Sequence, residues 1–262
     1  MTSKSLTLGH IATAVVLVLS AGMLAAFLPH MTRSTTRSCT TVLDSEVCAW
    51  IVLEGDHAVE LGATIPMTLV EAVSADTEMV WPPEHLGVLE LPPEAREALG
   101  IDHLGINWEA HGHPPGTFLT PHFDFHFYSI SQAAVRAIDC TDLSKPSTLP
   151  ARYVLPDIDI PEMGTLVGLC VPRMGMHAMP QTDNEETAAF KASMIIGYYG
   201  GAPIFFEPMV SQALLLERSD FSLPTPMVEH LPEGVRYPRE FHVKYDAAND
   251  QYRMVMSGFD AR

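Results

Sequence analysis

The octapeptide PHFDFHFY, Pro121 to Tyr128, alternates polar and aromatic residues without a break. In a strand, where side chains repeat with a period of two, His122, Asp124, His126 and Tyr128 share one face, while Phe123, Phe125 and Phe127 share the other. The phenylalanine face belongs in a core. The polar face must then look into water, a cavity or a partner sheet, and two histidines with an aspartate are an unusual use of it.

Much of the remaining chain reads in the same period. From Ala49 onward, AWIVLEG, HAVELGA and PMTLVEAV are short, β-branched-rich runs broken by Gly and Pro. TAAFKASMIIGYYGGAPIFFEPMV predicts a strand or two around Gly200–Gly201, and EFHVKYDAANDQYRMVMSGF alternates well enough for a final hairpin across DAAND. Helical signals are short. PPEAREALG, Pro92 to Gly100, has prolines at its start, early acids and a terminal glycine. SQAAVRAIDC reads as a second short helix, and a third is expected from about Pro208 to Arg218. With 21 prolines and no internal repeat, the expected fold is mainly β, a β-rich α+β domain built as a compact barrel or sandwich with a few short helices. A Gly-rich phosphate loop, a nucleophile elbow and a regular alternation of long helices with strands are all missing, which excludes the commonest nucleotide enzymes and α/β-hydrolases.

Ile11 to Leu28 is an uncharged apolar run behind Lys4. As a helix it would be roughly 27 Å long, close to the hydrocarbon thickness of a bilayer. It reads as a signal peptide or as a retained transmembrane anchor, and the sequence leaves both open. Residues 1–29 are therefore expected to be the signal or anchor, 30–38 a linker, and 39–262 a single β-rich extracytoplasmic domain: periplasmic, secreted or held at the outer face of the cytoplasmic membrane. Four cysteines, an even number in an oxidising compartment, predict two disulfides. Of three pairings, Cys39–Cys48 with Cys140–Cys170 is preferred because its first pair is local. Fifteen basic against 32 acidic residues give a net charge of −17, which repels nucleic acid and anionic membrane surfaces. The expected partner is a small-molecule ligand or substrate. Membrane contact would come only through an uncleaved N-terminal segment, and self-association is left open.

The candidate site gathers around the alternating strand. Neighbours at i and i+2 lie about 6.6–7 Å apart at Cα and can share an ion, whereas His122 and His126 are about 13 Å apart in a regular strand and need a bend to do so. The strand is thus expected to supply one or two ligands. Asp124 would stand behind an imidazole, orienting it or moving a proton. Further ligands are expected from His111 and His113 in HGHPP, His177 in RMGMHAMP and Glu207 in APIFFEP. Imidazoles with one carboxylate suit a mononuclear centre of zinc, favoured, or of iron, manganese or copper, with room for water or substrate. The competing reading has these histidines as hydrogen-bonded core residues and Glu207 as the cap of the following helix. His103 is the first of the cluster to set aside, and His57, His85, His230 and His242 carry no signal of their own.

The blocks GIDHLGINWEAHGHPPGTFLTPHFDFHFY, VPRMGMHAM and IIGYYGGAPIFFEPMVS, between Trp81 and Leu216, resemble an uncharacterised bacterial extracytoplasmic family whose structural prototype is under envelope-stress sigma/anti-sigma factor control. That resemblance implies that the blocks holding His111, His113, His122, His126, His177 and Glu207 belong together, and implies no catalytic roles. A weaker similarity is to cupins. Gly105 followed by His111-Gly112-His113 matches the start of their first motif, and GLCVPRMGMH is similar to the second, with His177 as its histidine. The glutamate that should follow His113 is replaced by Thr117 and Phe118, so Glu207 would have to come from another strand. The expected activity is metal-assisted hydrolysis or lyase chemistry, or else non-catalytic ligand binding in the same pocket.

Overall fold

The computed structural model describes residues 32–78, 80–161, 164–185 and 190–259; the apolar run Ile11 to Leu28 lies outside them. Among the described residues no helix is long and apolar enough to cross a membrane. The early strands are β1 Arg33–Val42, β2 Ser45–Glu54, β3 His57–Pro66, β4 Gly87–Glu90, β5 His103–Glu109 and β6 His122–Tyr128. Then come β7 Tyr153–Val154, β8 Ile158–Ile160, β9 Gly164–Leu166, β10 Met176–Pro180, β11 Ala192–Tyr199 and β12 Ala202–Ser211. The chain closes with β13 Phe221–Pro224, β14 Glu240–Asp246 and β15 Gln251–Ser257. Among the described residues five short α-helices intervene: α1 Met67–Ala72, α2 Pro93–Leu99, α3 Gln132–Arg136, α4 Gln181–Glu185 and α5 Gln212–Leu216.

Two antiparallel sheets result, one ordered β1-β2-β3-β15-β14-β13 and one ordered β4-β5-β6-β12-β11-β10-β7, with β8 and β9 as a separate pair. Both sheets are open at their ends, so the architecture is a sandwich and not a barrel. Ile51, Leu61, Val243 and Met254 of the first sheet share one core with Phe123, Phe125, Phe127, Ile196 and Phe206 of the second. A second apolar group lies on the opposite face of the second sheet and includes Tyr128, Ile195, Phe205 and Met209. The second sheet is therefore buried on both faces, and every residue of β6 is buried.

Local chemistry explains most boundaries. Gly100 ends α2 in the left-handed region at φ 66°, and Gly200 and Gly201 turn β11 into β12 at φ 58° and 77°. The final hairpin pairs Asp246 with Gln251 across the DAAND stretch. Two expectations need correction. Residues 33–38, read as linker, are the first half of β1: they pair with β2 while their outer edge faces solvent, so an edge strand can be polar without being unstructured. The helix expected from Pro208 begins only at Gln212, because Ser211 is its cap and accepts a hydrogen bond from the Leu214 amide. Pro208 stays in β12, where pairing with β6 lapses between Phe206↔Phe127 and Met209↔Asp124, since proline has no N–H to give.

Candidate metal centre

The register of the second sheet assembles the site. Across β5 and β6, Glu109 stands opposite His122, Asn107 opposite Asp124, Gly105 opposite His126 and His103 opposite Tyr128. On the other side of β6, Ser211, Met209 and Phe205 face His122, Asp124 and Tyr128. Phe205 pairs with Gly197, and Gly197 with His177 of β10. A Cβ on Gly197 would lie 2.0 Å from the Phe205 ring, so glycine there lets that ring lie flat toward β10. Phe205 then contacts both His126 and His177, at ring-centroid distances of 4.9 Å and 5.3 Å.

Two groups of ligand atoms form on this face, one of His113, His122 and Asp124, the other of His126, His177 and Glu207. In the first, His122 Nε2 lies 3.1 Å from Asp124 Oδ1, and His113 Nε2 lies 3.8 Å from Asp124 Oδ2. In the second, His126 Nε2 lies 3.5 Å from Glu207 Oε1, and His177 Nε2 lies 3.9 Å from Glu207 Oε2. Four ligands around an ion at bond lengths near 2.0–2.2 Å stand about 3.4 Å from one another, so both groups have the spacing of a coordination shell. A third group, Cys39, Glu46 and Cys48, offers no thiolate because its cysteines are joined.

Tautomers are set by the backbone. Nδ1 of His113, His122 and His177 donates to the carbonyl oxygens of Pro114, Thr120 and Leu169, at 2.8, 2.7 and 3.0 Å. The neutral form of each ring then turns a bare Nε2 lone pair toward a carboxylate, an arrangement that only a proton or a cation relieves. His122 Nε2, Asp124 Oδ1, both nitrogens of His126 and Glu207 Oε2 are buried without a hydrogen-bond partner.

The two groups differ in charge. Burial, helped by Asp124 and Glu109, pushes the Glu207 carboxyl well above its ordinary range. Burial also holds His126 well below its usual value and takes His177 down to about 4, so this group is neutral on its own. Beside it, burial would lower His113, but Asp124 and Glu109 outweigh that and raise it to about 9. Burial works against ionised Asp124 as well, and His122 and His113 overcome it. Burial and Asp124 together push Glu109 up to about 7.

Loops on the outer face turn the site into a cavity of about 360 Å³, lined by Glu109, His113, Asp124 and His177 among apolar walls that include Leu166, Val171 and Met174. Val80, Trp81 and Leu119 at its margin are exposed. His113 is carried by a loop that folds back at Gly112, φ 65°, where a Cβ would meet the Phe118 carbonyl at 2.0 Å. The opposite wall is pinned by the Cys140–Cys170 disulfide, next to the Leu169 carbonyl that orients His177. Both disulfides join the expected partners, Cys39–Cys48 as a directly opposed pair on β1 and β2. Replacing Cys140 and Cys170 by serine opens a loop with a sequence separation of 30 and is expected to cost about 3–4 kcal/mol in the chain-entropy account. Chemical denaturation measures it; a loss below about 1 kcal/mol would show that packing alone holds this wall.

Of the residues singled out from sequence, the structure brings His113, His122, His126, His177 and Glu207 to this face. It places Asp124 with both carboxylate oxygens against imidazoles, Oδ1 3.1 Å from His122 and Oδ2 3.8 Å from His113. His111 is exposed and belongs to neither group. The other residues fall into two groups that could each hold an ion, where a single set was expected. Glu207 is a buried strand residue and not a helix cap. His103 bonds Asp102 and stacks on Tyr128 at 4.9 Å, a packing role. Two site residues were missed. His85 sits over Gly105, bonds Asn107 at 2.6 Å and lies 5.8 Å from His126; the glycine in β5 was the only sequence signal for it. Glu109 had none.

No family model, no curated protein and no solved structure matches this chain.

Proposed function

We propose that the chain is an extracytoplasmic metalloprotein that uses a divalent transition ion, zinc favoured, for hydrolytic or lyase chemistry on a small molecule with an apolar body. The observation that carries this reading is the convergence of His126 and of backbone-tethered His177 on the buried Glu207 carboxylate, with His177 in the wall of a cavity. Two disulfides and the N-terminal apolar run favour export. The motif blocks that resemble the extracytoplasmic family are the same ones that supply the ligands.

His126, His177 and Glu207 would hold the ion, leaving a coordination position toward the cavity. Such an ion polarises a carbonyl or lowers the pKa of water. Glu109, in the same wall, is suited to accept and return a proton near neutral pH. Leu166, Val171 and Met174 would take up the apolar part of the substrate.

The mostly apolar cavity also suits the alternative, a protein that binds a ligand without turning it over. Elemental analysis of protein purified without a histidine tag is expected to find a stoichiometric divalent transition metal. Protein free of metal, with no rise in melting temperature when zinc is added, would reject the metalloprotein reading and leave metal-free ligand binding in the cavity. A large fall in melting temperature on chelation favours the binding role, and a small one the catalytic role with its open position.

A further inference from the structure

We propose a second metal site, formed by His113, His122 and Asp124, so that this protein holds two divalent transition ions that face one cavity. The proposal deepens the reading above but stands on its own atoms. Each carboxylate is shared only within its own group: Asp124 turns one oxygen to His122 and the other to His113, while Glu207 turns its two to His126 and His177. The donor atoms fall into two separate groups, each within 4.8 Å, so one ion does not take all four imidazoles, and each group has its own carboxylate to neutralise an ion on binding.

The second group is as well prepared as the first. His122 Nε2 and Asp124 Oδ1 are fully buried, 3.1 Å apart and without a hydrogen bond. A single proton between them would serve that pair, yet His113 is brought to the same carboxylate from a different element, its ring 4.9 Å from that of His122. Both rings have Nδ1 tied to a carbonyl, which leaves Nε2 as the ligand atom in each. Three convergent donors at these spacings describe a cation and exceed what a proton needs. The groups are neighbours because Asp124 and His126 are two residues apart on one strand face, about 6.6–7 Å at Cα. His113 and Asp124 from one group and His177 from the other line the same cavity, and three protein ligands at each would leave a coordination position open toward a molecule bound there.

The test is stoichiometry with zinc as the probe, on full-length untagged protein stripped with a chelator and titrated by calorimetry. Wild type should bind about two equivalents, Asp124→Asn and Glu207→Gln about one each, and the double variant none. His113→Ala, on a loop and partly exposed, repeats the first substitution should Asp124→Asn fail to fold, as judged by near-ultraviolet circular dichroism. One equivalent in wild type, lost with Glu207→Gln and kept with Asp124→Asn or His113→Ala, overturns the second site and leaves the first. One equivalent lost only with Asp124→Asn or His113→Ala removes the first site and leaves this one. Two equivalents untouched by these substitutions overturn both.

Discussion

Phe125→Ala is expected to cost about 3–5 kcal/mol of folding stability, while His177→Ala leaves a folded protein that has lost the ion at Glu207. Phe125 is fully buried between the two sheets and stacks on Phe123 at 5.9 Å. Removing its ring leaves a hole whose walls are backbone-paired strands, which cannot collapse to fill it. His177 is at the cavity wall instead, so its loss opens space to a place that already has some. The two faces of one sheet should therefore fail differently. Urea denaturation and metal analysis of both variants read the difference. A loss under about 1 kcal/mol for Phe125→Ala would mean that its face is not core.

Metal-stripped protein is expected to be most stable slightly on the acid side of neutral and to weaken as pH rises to about 9, a decline that bound ion should flatten. The signs follow from each group. Glu109, raised to about 7, and Glu207, raised further, keep in the fold a proton that the unfolded chain releases above its ordinary carboxylate range, so their contribution is lost as pH rises. His113, raised to about 9, adds the same trend between about 6.5 and 9. On the acid side, His177 lowered to about 4, with His126 also lowered, gives stability that disappears as pH falls below about 6.5. Each excess proton corresponds to a slope of about 1.4 kcal/mol per pH unit. An ion on Glu207 displaces its proton and so removes that slope. Thermal melts from pH 5 to 9, with chelator and with zinc, measure it; parallel profiles would contradict metal binding at Glu207.

Several features were legible because they are local. The alternation in PHFDFHFY named the two faces of β6 before any fold was known, and the phenylalanines are indeed in the inter-sheet core. The short-range cysteine pair, the helix ending at Gly100 and the turn at Gly200–Gly201 follow from chemistry within a few residues. Other features carry no such mark. Leu43 and Asp44 turn β1 into β2 at φ 44° and 61° without a glycine, so the hairpin and the strand before it were hidden. His85 belongs beside His126 only because β5 brings Gly105 opposite that residue.

By itself, then, the sequence determined a β-rich chain with one face of a strand apolar, the other rich in imidazole and carboxylate groups, and an even set of cysteines whose pairing the structure fixed. Which carboxylate serves which imidazole was decided by tertiary structure. Asp124 became a partner of His113 because the loop at Gly112 folds back over β6, and Glu207 a partner of His126 and His177 because β12 lies between β6 and β10 in the sheet order. Strand periodicity specifies the direction of a side chain, but its neighbours across a sheet depend on strand order and register, which long-range packing alone selects.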